Sequence, residues 1–287
     1  MKTYPKISLI FPSYNKGDFT EIALKSALDQ NYPNLELIVI DGASNDDTRA
    51  ILEKYSAHFA YYVSEPDSGE CEALNKGFAK ATGEIWAILN ADDILMPKSL
   101  FNVAEIFSSF PQVQWITGKP VTIDENTSIK KVSEHYLPHK ELFFYNTSRT
   151  IQLESTFWRK ELSEKAGVGV NPDYHPAQDH QMWSRFYQHT PLYIVHTVLG
   201  AFRKSEASST TSDHEFKARY VKRLLETKKE YRTGLWKYIS FYVLYGLCGL
   251  SIHVSIERRL RKLVRKLFFG SLREIHYDFI KSKWIAK

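Results

Sequence analysis

The chain has 287 residues, 43% hydrophobic and 25% charged, which suits one or two globular domains with a real core and excludes a disordered or fibrous chain. Its two cysteines, Cys71 and Cys248, form no CxxC pair, which argues against a disulfide framework or zinc site and fits a reducing compartment. The net charge of +5 conceals a division: residues 1–213 carry 20 Lys+Arg against 27 Asp+Glu, and residues 214–287 carry 18 against 6. The last quarter therefore reads as a separate basic unit with an anionic partner.

The N-terminus enters an apolar run shorter than the roughly 7–15 residues of a signal-peptide core, so the expectation is a protein that is not exported. Ile7–Phe11 is rich in strand formers and ends at Pro12; Leu35–Ile40 ends at Asp41-Gly42; Tyr61–Val63 ends at Glu65-Pro66; Ile85–Leu89 ends at Asn90. Continuous apolar runs of this kind fit strands buried on both faces. Helical stretches over about 20–30, 46–55, 69–81 and 97–110 lie between and after them. Ser44 or Asn45 is the expected cap of the second, with Asp46 and Asp47 in its first turn.

This alternation predicts βαβ units and a mainly parallel sheet. In such sheets ligands bind beyond the carboxyl ends of the strands. That places a site at Pro12–Asn15, Asp41–Asn45, Glu65–Gly69 and Asn90–Asp93.

Farther along, Val121–Asp124 and Ile129–Val132 read as a hairpin, Ser155–Trp158 as a strand, Asp179–His189 as a helix and Leu192–Arg203 as strand pairs. Ser205–Asp213 reads as a linker and residues 214–233 as a charged helix. Leu235–Ile252 is aromatic and apolar, interrupted by Lys237, Ser240 and Ser251. In the segment after it, Leu260, Leu263, Val264, Leu267 and Phe268 share one face of a helix whose other faces are basic. Residues 235–287 are thus expected to meet an anionic membrane surface, or else to pack on the catalytic domain or a second subunit. No nucleic-acid motif accompanies the basic charge, and no nucleic-acid partner is expected.

At the strand ends, Asp92 and Asp93 suit a hard divalent cation, since Mg²⁺ typically takes one or two carboxylates with substrate phosphates and water. A turn with a helix cap would account for the same pair. Asp41 can accept from a ribose hydroxyl or a base N–H, yet the first strand leads into Phe11-Pro-Ser-Tyr-Asn-Lys-Gly17, whose single glycine rules out a dinucleotide turn. Tyr14 is placed to stack on a base or to pack half-buried. Lys76 and Arg203 are candidates for phosphate contact. Asp179 stands at a helix start, where an acid commonly serves as a cap.

In order along the chain, Phe11–Asn15, Asp29–Glu36, Ile40–Asp46, Glu65–Gly69, Ala73–Phe78, Thr82–Glu84, Asn90–Asp93, Thr156–Trp158, Gln178–His180 and Ala201–Arg203 resemble glycosyltransferase family 2, the inverting enzymes of the GT-A fold. The resemblance covers residues 5–210. It implies a GT-A catalytic domain over 1–210, with a donor half over about 1–110 and an acceptor half over about 111–210, followed by a helical basic region over 214–287. The implied reaction moves a sugar from a nucleoside-diphosphate sugar, UDP-linked by preference, to a saccharide or lipid-linked saccharide hydroxyl. A cytoplasmic enzyme on the inner face of the membrane, serving cell-surface polysaccharide or lipid-linked oligosaccharide synthesis, is expected. The alternative is a non-catalytic sugar-nucleotide-binding or scaffolding protein of the same fold.

The resemblance also implies roles for individual residues. Pro12, Ser13, Tyr14, Asp41, Asp67, Asn75, Lys76, Asn90, Ala91 and Arg203 would bind the donor. Asp92 would bind Mn²⁺ or Mg²⁺ with support from Asp93, and Asp179 would be the catalytic base, with His180 as its rival. Two positions depart from the family pattern. Asn90 replaces the first acid of the usual DxD, and Lys204-Ser205 stands where many relatives place a histidine.

Overall fold

A computed structural model describes residues 4–133, 143, 151–205, 214–230, 239–240, 243–244, 259–260, 263–264, 266–267 and 273–286. The first half alternates strictly: β1 (Ile7–Ser13), α1 (Gly17–Leu28), β2 (Leu35–Asp41), α2 (Thr48–Tyr55), β3 (Tyr61–Ser64), α3 (Glu70–Lys80) and β4 (Ile85–Ile88). The chain continues with β5 (Ile94–Leu95), α4 (Ser99–Ser109), β6 (Trp115–Thr117), β7 (Val121–Ile123), β8 (Ile129–Val132), β9 (Thr156–Arg159) and α5 (Lys160–Ala166). It ends with α6 (Gln178–His189), β10 (Tyr193–Val195), β11 (Gly200–Arg203), α7 (His214–Glu230), β12 (Glu274–Asp278) and β13 (Lys283–Ala286).

Nine strands form the main sheet in the order β13-β12-β10-β6-β9-β4-β1-β2-β3, and four form a smaller one in the order β5-β11-β7-β8. In the main sheet β1 pairs in parallel with both β2 and β4, β2 with β3, and β10 with both β6 and β12; only β9 and β13 run antiparallel to their neighbours. The expected parallel α/β sheet is therefore what forms. Period-two alternation sends Ile7, Leu9, Phe11, Leu37 and Val39 into one core with Ala23, Leu24 and Leu52 of α1 and α2. It sends Ile10, Ile38, Ile40, Trp86 and Ile88 into a second core with Leu74 and Phe78 of α3 and Trp183 of α6. Four of the six tryptophans lie in this second core: Trp86 is joined by Trp183, which stacks on Trp115 at 5.6 Å and meets Trp158 edge-on at 5.6 Å.

Several expectations need correction. The first strand runs through Pro12 to Ser13, because β4 pairs with β1 only as far as Ile10, so past Ile10 the strand pairs only with β2. Leu192–Arg203 does not form a pair of adjacent strands: β10 joins the large sheet and β11 the small one. The region after residue 213, expected to be helical, also carries strands, and described parts of it pack on the body of the protein. Its helix α7 packs on α6, and its β12–β13 hairpin extends the main sheet, with Ile275 and Trp284 in the same core as Tyr193 and Val195. The linker expected at Ser205–Asp213 and the helices expected within 235–269 fall largely outside the described residues. Among those that are described there, Ile239, Val243, Leu244, Leu260, Leu263 and Leu267 are exposed.

Candidate active site

The carboxyl ends of β1, β2 and β4 open into a cavity of about 1450 Å³. Its floor is tied together by the loops after β1 and β2. Asn15 takes a left-handed conformation (φ 48°); its N–H donates to Ser44 Oγ at 2.9 Å and its Oδ1 accepts from Asn45 N at 2.9 Å. The N–H groups of Lys16 and Gly17 donate to Thr48 Oγ1 and Asp46 Oδ2. Ser44 is thereby used between loops, and Asp46, accepting from Thr48 N at 3.0 Å, takes over the start of α2 that Ser44 or Asn45 was expected to cap.

Asp41 is fully buried below this floor. Its carboxylate accepts from Ser44 N, Ser44 Oγ (2.5 Å) and Ser64 Oγ (2.6 Å), so it joins the ends of β2 and β3 and does not line the cavity. Pro12, Ser13, Tyr14 and Asp67 do line it. The Tyr14 ring is 59% exposed, free to lie against a planar base. Asp67 Oδ1 accepts from Gly69 N, and Gly69 at φ +114° makes the turn into α3 that a side chain would strain.

Opposite lie Asn90, Ala91, Asp92 and Asp93. Asp92 Oδ2 is 2.7 Å from Lys16 Nζ. Asp93 is buried and accepts from the backbone N–H of Arg203 at 2.8 Å; burial, and next the adjacent Glu154, push its carboxyl well up. Glu154 is likewise buried and pushed up to about 8 by loss of water. Among the described residues no three His, Cys, Asp or Glu side chains gather into a protein-only metal cage. The donor set nevertheless fits a hard cation that shares its shell with phosphates. Asp92 faces the cavity, and Asn90 Oδ1 is a buried oxygen without a hydrogen-bond partner.

The other end of the cavity is built by α3, α6 and α7. Asp179, in the first turn of α6, lines the wall, and burial pushes its carboxyl up to about 6. His180 turns into the core, stacked on Phe143 at 4.1 Å, and is absent from the wall. Glu70, the first residue of α3, accepts from Gln178 Nε2 at 2.8 Å; burial, then Asp179 and Asp92, push it up to about 7. From α7 come Phe216, Lys217, Arg219 and Tyr220.

Pro12, Ser13, Tyr14, Asp67, Asn90, Ala91, Asp92, Asp93 and Asp179 therefore share one cavity, while Asp41, Asn75, Lys76 and Arg203 stand behind its walls. The Asn75 amide bonds the Val170 backbone in both directions, tying α3 to the loop before α6. Lys76 is held by Glu65 and Glu72. Arg203, 2% exposed, donates from Nε to the Asp92 carbonyl and from Nη1 to the Asp124 and Glu125 carbonyls, bracing the acidic loop from below.

Sequence reasoning missed Lys16, Glu70, Glu154 and Gln178. Lys16 and Glu70 sat inside or beside loops already marked as strand ends, so proximity alone would have found them. The α7 residues carried no local signal, because a charged helix pattern looks the same on a solvated face.

The family model for Glycosyl transferase family 2 matches residues 8–162. An uncharacterized glycosyltransferase of Mycobacterium tuberculosis (strain ATCC 25618 / H37Rv) is 31% identical over 183 residues, 63% of this chain and 68% of that protein. TuaG of Bacillus subtilis (strain 168), whose name assigns it to teichuronic acid biosynthesis, is 40% identical over 132 residues, 44% of this chain and 52% of TuaG. An uncharacterized glycosyltransferase of Nostoc sp. is 32% identical over 45% of this chain, and the match spans 43% of that relative's length. Among solved structures, S. aureus TarS 1–349 in complex with UDP-GlcNAc superposes with a TM-score of 0.64 at 16% identity, covering 92% of this chain and 80% of that one. The mannosyltransferase PcManGT of Pyrobaculum calidifontis, in complex with GDP-Man and Mn²⁺, gives 0.55 at 18% identity, covering 94% and 86%. These likenesses extend the shared fold well past the segment matched by the family model.

Proposed function

The chain belongs to glycosyl transferase family 2, and on that premise we propose that it transfers a sugar from a nucleoside-diphosphate sugar to a hydroxyl of a saccharide or lipid-linked saccharide, with inversion, in cell-surface polysaccharide synthesis. The observation that carries this reading is a single cavity with an exposed ring and an acidic loop at one end and the half-buried carboxyl of Asp179 at the other.

Tyr14 and the Pro12–Ser13 backbone receive the base, with Asp67 at its edge. Solved structures of this fold carry UDP-GlcNAc and GDP-Man, which supports a nucleotide-sugar donor; the donor we favour for this chain is a UDP-sugar. Asp92 and Asn90 are the residues that would hold Mn²⁺ or Mg²⁺, with Asp93 fixing their loop. When bound, such a cation offsets charge on the departing diphosphate. Lys16 holds Asp92 in place and brings its own positive charge to the same end. Asp179 accepts the proton of the acceptor hydroxyl as that oxygen attacks the anomeric carbon from the face opposite the leaving diphosphate. Nucleoside diphosphate leaves, and the anomeric configuration inverts.

A labelled UDP-sugar panel with Mn²⁺ or Mg²⁺ tests the reading. Chelation is expected to abolish transfer and added metal to restore it, and Asp92→Ala is expected to lose most activity while still folding. Donor binding without turnover on any acceptor would favour the non-catalytic reading; full activity in chelator would remove the metal.

We also propose peripheral attachment to anionic membranes through the basic region. Leu260, Leu263 and Leu267 are exposed at helical spacing beside Arg259 and Lys266, and no helix among the described residues is long and apolar enough to cross a membrane. Flotation of the full chain with anionic vesicles at low salt is the expected outcome, lost on Leu263→Glu/Leu267→Glu. If wild type and variant stay down alike, these leucines serve contacts within the protein or between subunits.

A further inference from the structure

Helix α7 lies beyond the segment matched by the family model, yet it closes the cavity beside Asp179. It carries six Lys or Arg against three Glu in 17 residues. Those that reach the cavity are Lys217 and Arg219, flanked by the rings of Phe216 and Tyr220. Phe216 also meets the His175 ring edge-on at 6.4 Å. Tyr220 Oη is buried and has no hydrogen-bond partner. Its nearness to the base is evident electrostatically: after burial, the Asp179 charge is the next cause holding the Tyr220 phenol protonated.

We propose that this wall is an acceptor subsite for an anionic saccharide, one bearing a carboxylate or phosphate close to the hydroxyl that is glycosylated. The inference rests on the assignment of Asp179 as base.

The chemistry points one way. Aromatic faces suit the C–H surface of a sugar ring, and the Tyr220 hydroxyl, left without a partner, has a hydrogen bond to offer a ligand atom. A neutral sugar would leave the Arg219 guanidinium at this wall without a use. An anionic sugar approaching Glu70, Asp92 and Asp179 would instead be repelled unless cations held its charge away from them. Arg219 presents a planar fork that pairs with either carboxylate or phosphate. With the anion drawn to α7, the sugar is oriented so that a neighbouring hydroxyl reaches Asp179. The donor diphosphate is a poor alternative guest for this wall, because its place is at the strand ends beside Lys16 and Asp92.

A matched series differing only at C6 tests the proposal. D-glucuronate carries a carboxylate there, glucose 6-phosphate a phosphate, and glucose a hydroxyl. Binding of each to the full chain, preloaded with UDP and Mg²⁺, is followed by ligand-observed NMR. The expected result is that at least one anionic member binds more tightly than glucose. Arg219→Gln with Lys217→Gln is expected to weaken that member roughly tenfold, as for loss of a charge-assisted pair, with UDP affinity unchanged. Tyr220→Phe, which keeps the ring, is expected to weaken saccharide binding without lowering Tm.

Equal binding of all three sugars, or of none, overturns the proposal. So does a double variant whose main defect is in UDP binding, since α7 would then serve the donor. Failure of the wild-type protein to bind UDP would count against the transferase reading itself. Which anion wins distinguishes a uronic acid from a sugar phosphate.

Discussion

Asp179 is a carboxylate whose pKa matters twice. Its ordinary value near 3.9 would leave it ionised throughout the neutral range, but the cavity wall strips enough water to push it up to about 6. A base must be unprotonated, so transfer is expected to rise with pH through about 6 and to fall about tenfold per pH unit below it. The folded state here binds the proton more strongly than the unfolded chain. Asp179 therefore costs stability as pH rises from its unfolded value to about 6, the opposite of an ion-paired aspartate. Asp179→Asn is expected to lower kcat by about 10²–10⁴-fold, to remove the acid limb of the pH profile and to leave donor Kd unchanged. A variant that keeps near-normal kcat, beside a dead His180→Ala, would move the role to His180 despite its burial against Phe143.

At the scale of elements, the site depends on how closely α3 lies on β1. A Cβ at Gly77 would overlap Ile10 Cγ2, so helix and strand meet there with no room for a methyl group. Gly77→Ala would ordinarily favour a helix interior. Here it is expected to destabilise by about 1–3 kcal/mol through overpacking, read as a lower urea midpoint at constant m. Because Glu70 begins the same helix and Asn75 ties it to Val170, acceptor KM is expected to rise with it. An unchanged midpoint would mean that Ile10 yields at no cost. Three of the four strand ends of this half were readable because a strand buried on both faces is a continuous apolar run whose polar terminus marks where it leaves the sheet; β3, expected to be buried in the same way, is instead a half-buried edge strand, and its end was marked by Glu65-Pro66 alone. The hairpin of β7 and β8 was readable on other grounds, since β8 (Ile-Lys-Lys-Val) is exposed along its length: two short runs of strand formers flank the turn residues Asp124–Ser128. What was not readable depended on partners far away in sequence. Asp41 and Arg203 look like ligand-binding residues until Ser44, Ser64 and the Asp92 carbonyl are found to occupy them. Lys16 reads as a solvated loop cation until Asp92 comes within 2.7 Å.

Across the whole molecule, the acidic body and the basic C-terminal region look separable by charge but are joined by packing. Composition separates them because charge is carried on surfaces, whereas the joint is made by a few apolar residues that composition hides. Beyond α7 at the cavity, β12 lies parallel to β10 with Ile194 and Val195 opposite Glu274 and Ile275, and β13 returns beside it. Ile275 is fully buried and Trp284 is 7% exposed, so each contributes about 1.5–3 kcal/mol of apolar burial. The hairpin also covers the edge of β10, whose unpaired backbone would otherwise be open to another chain. Ending the polypeptide before Glu274 is therefore expected to cost roughly 3–6 kcal/mol and to promote association. The measurements are the urea midpoint, and light scattering against protein concentration. Trp284→Ala provides the milder version: it keeps the β-pairing, so it is expected to lower the midpoint by the side-chain contribution alone, without association. If the shortened chain unfolds at the original midpoint and stays monomeric, the hairpin is an ornament on a sheet already complete at β10. If it associates while Trp284→Ala does not, the exposed edge of β10, more than the lost tryptophan packing, is what the hairpin exists to cover.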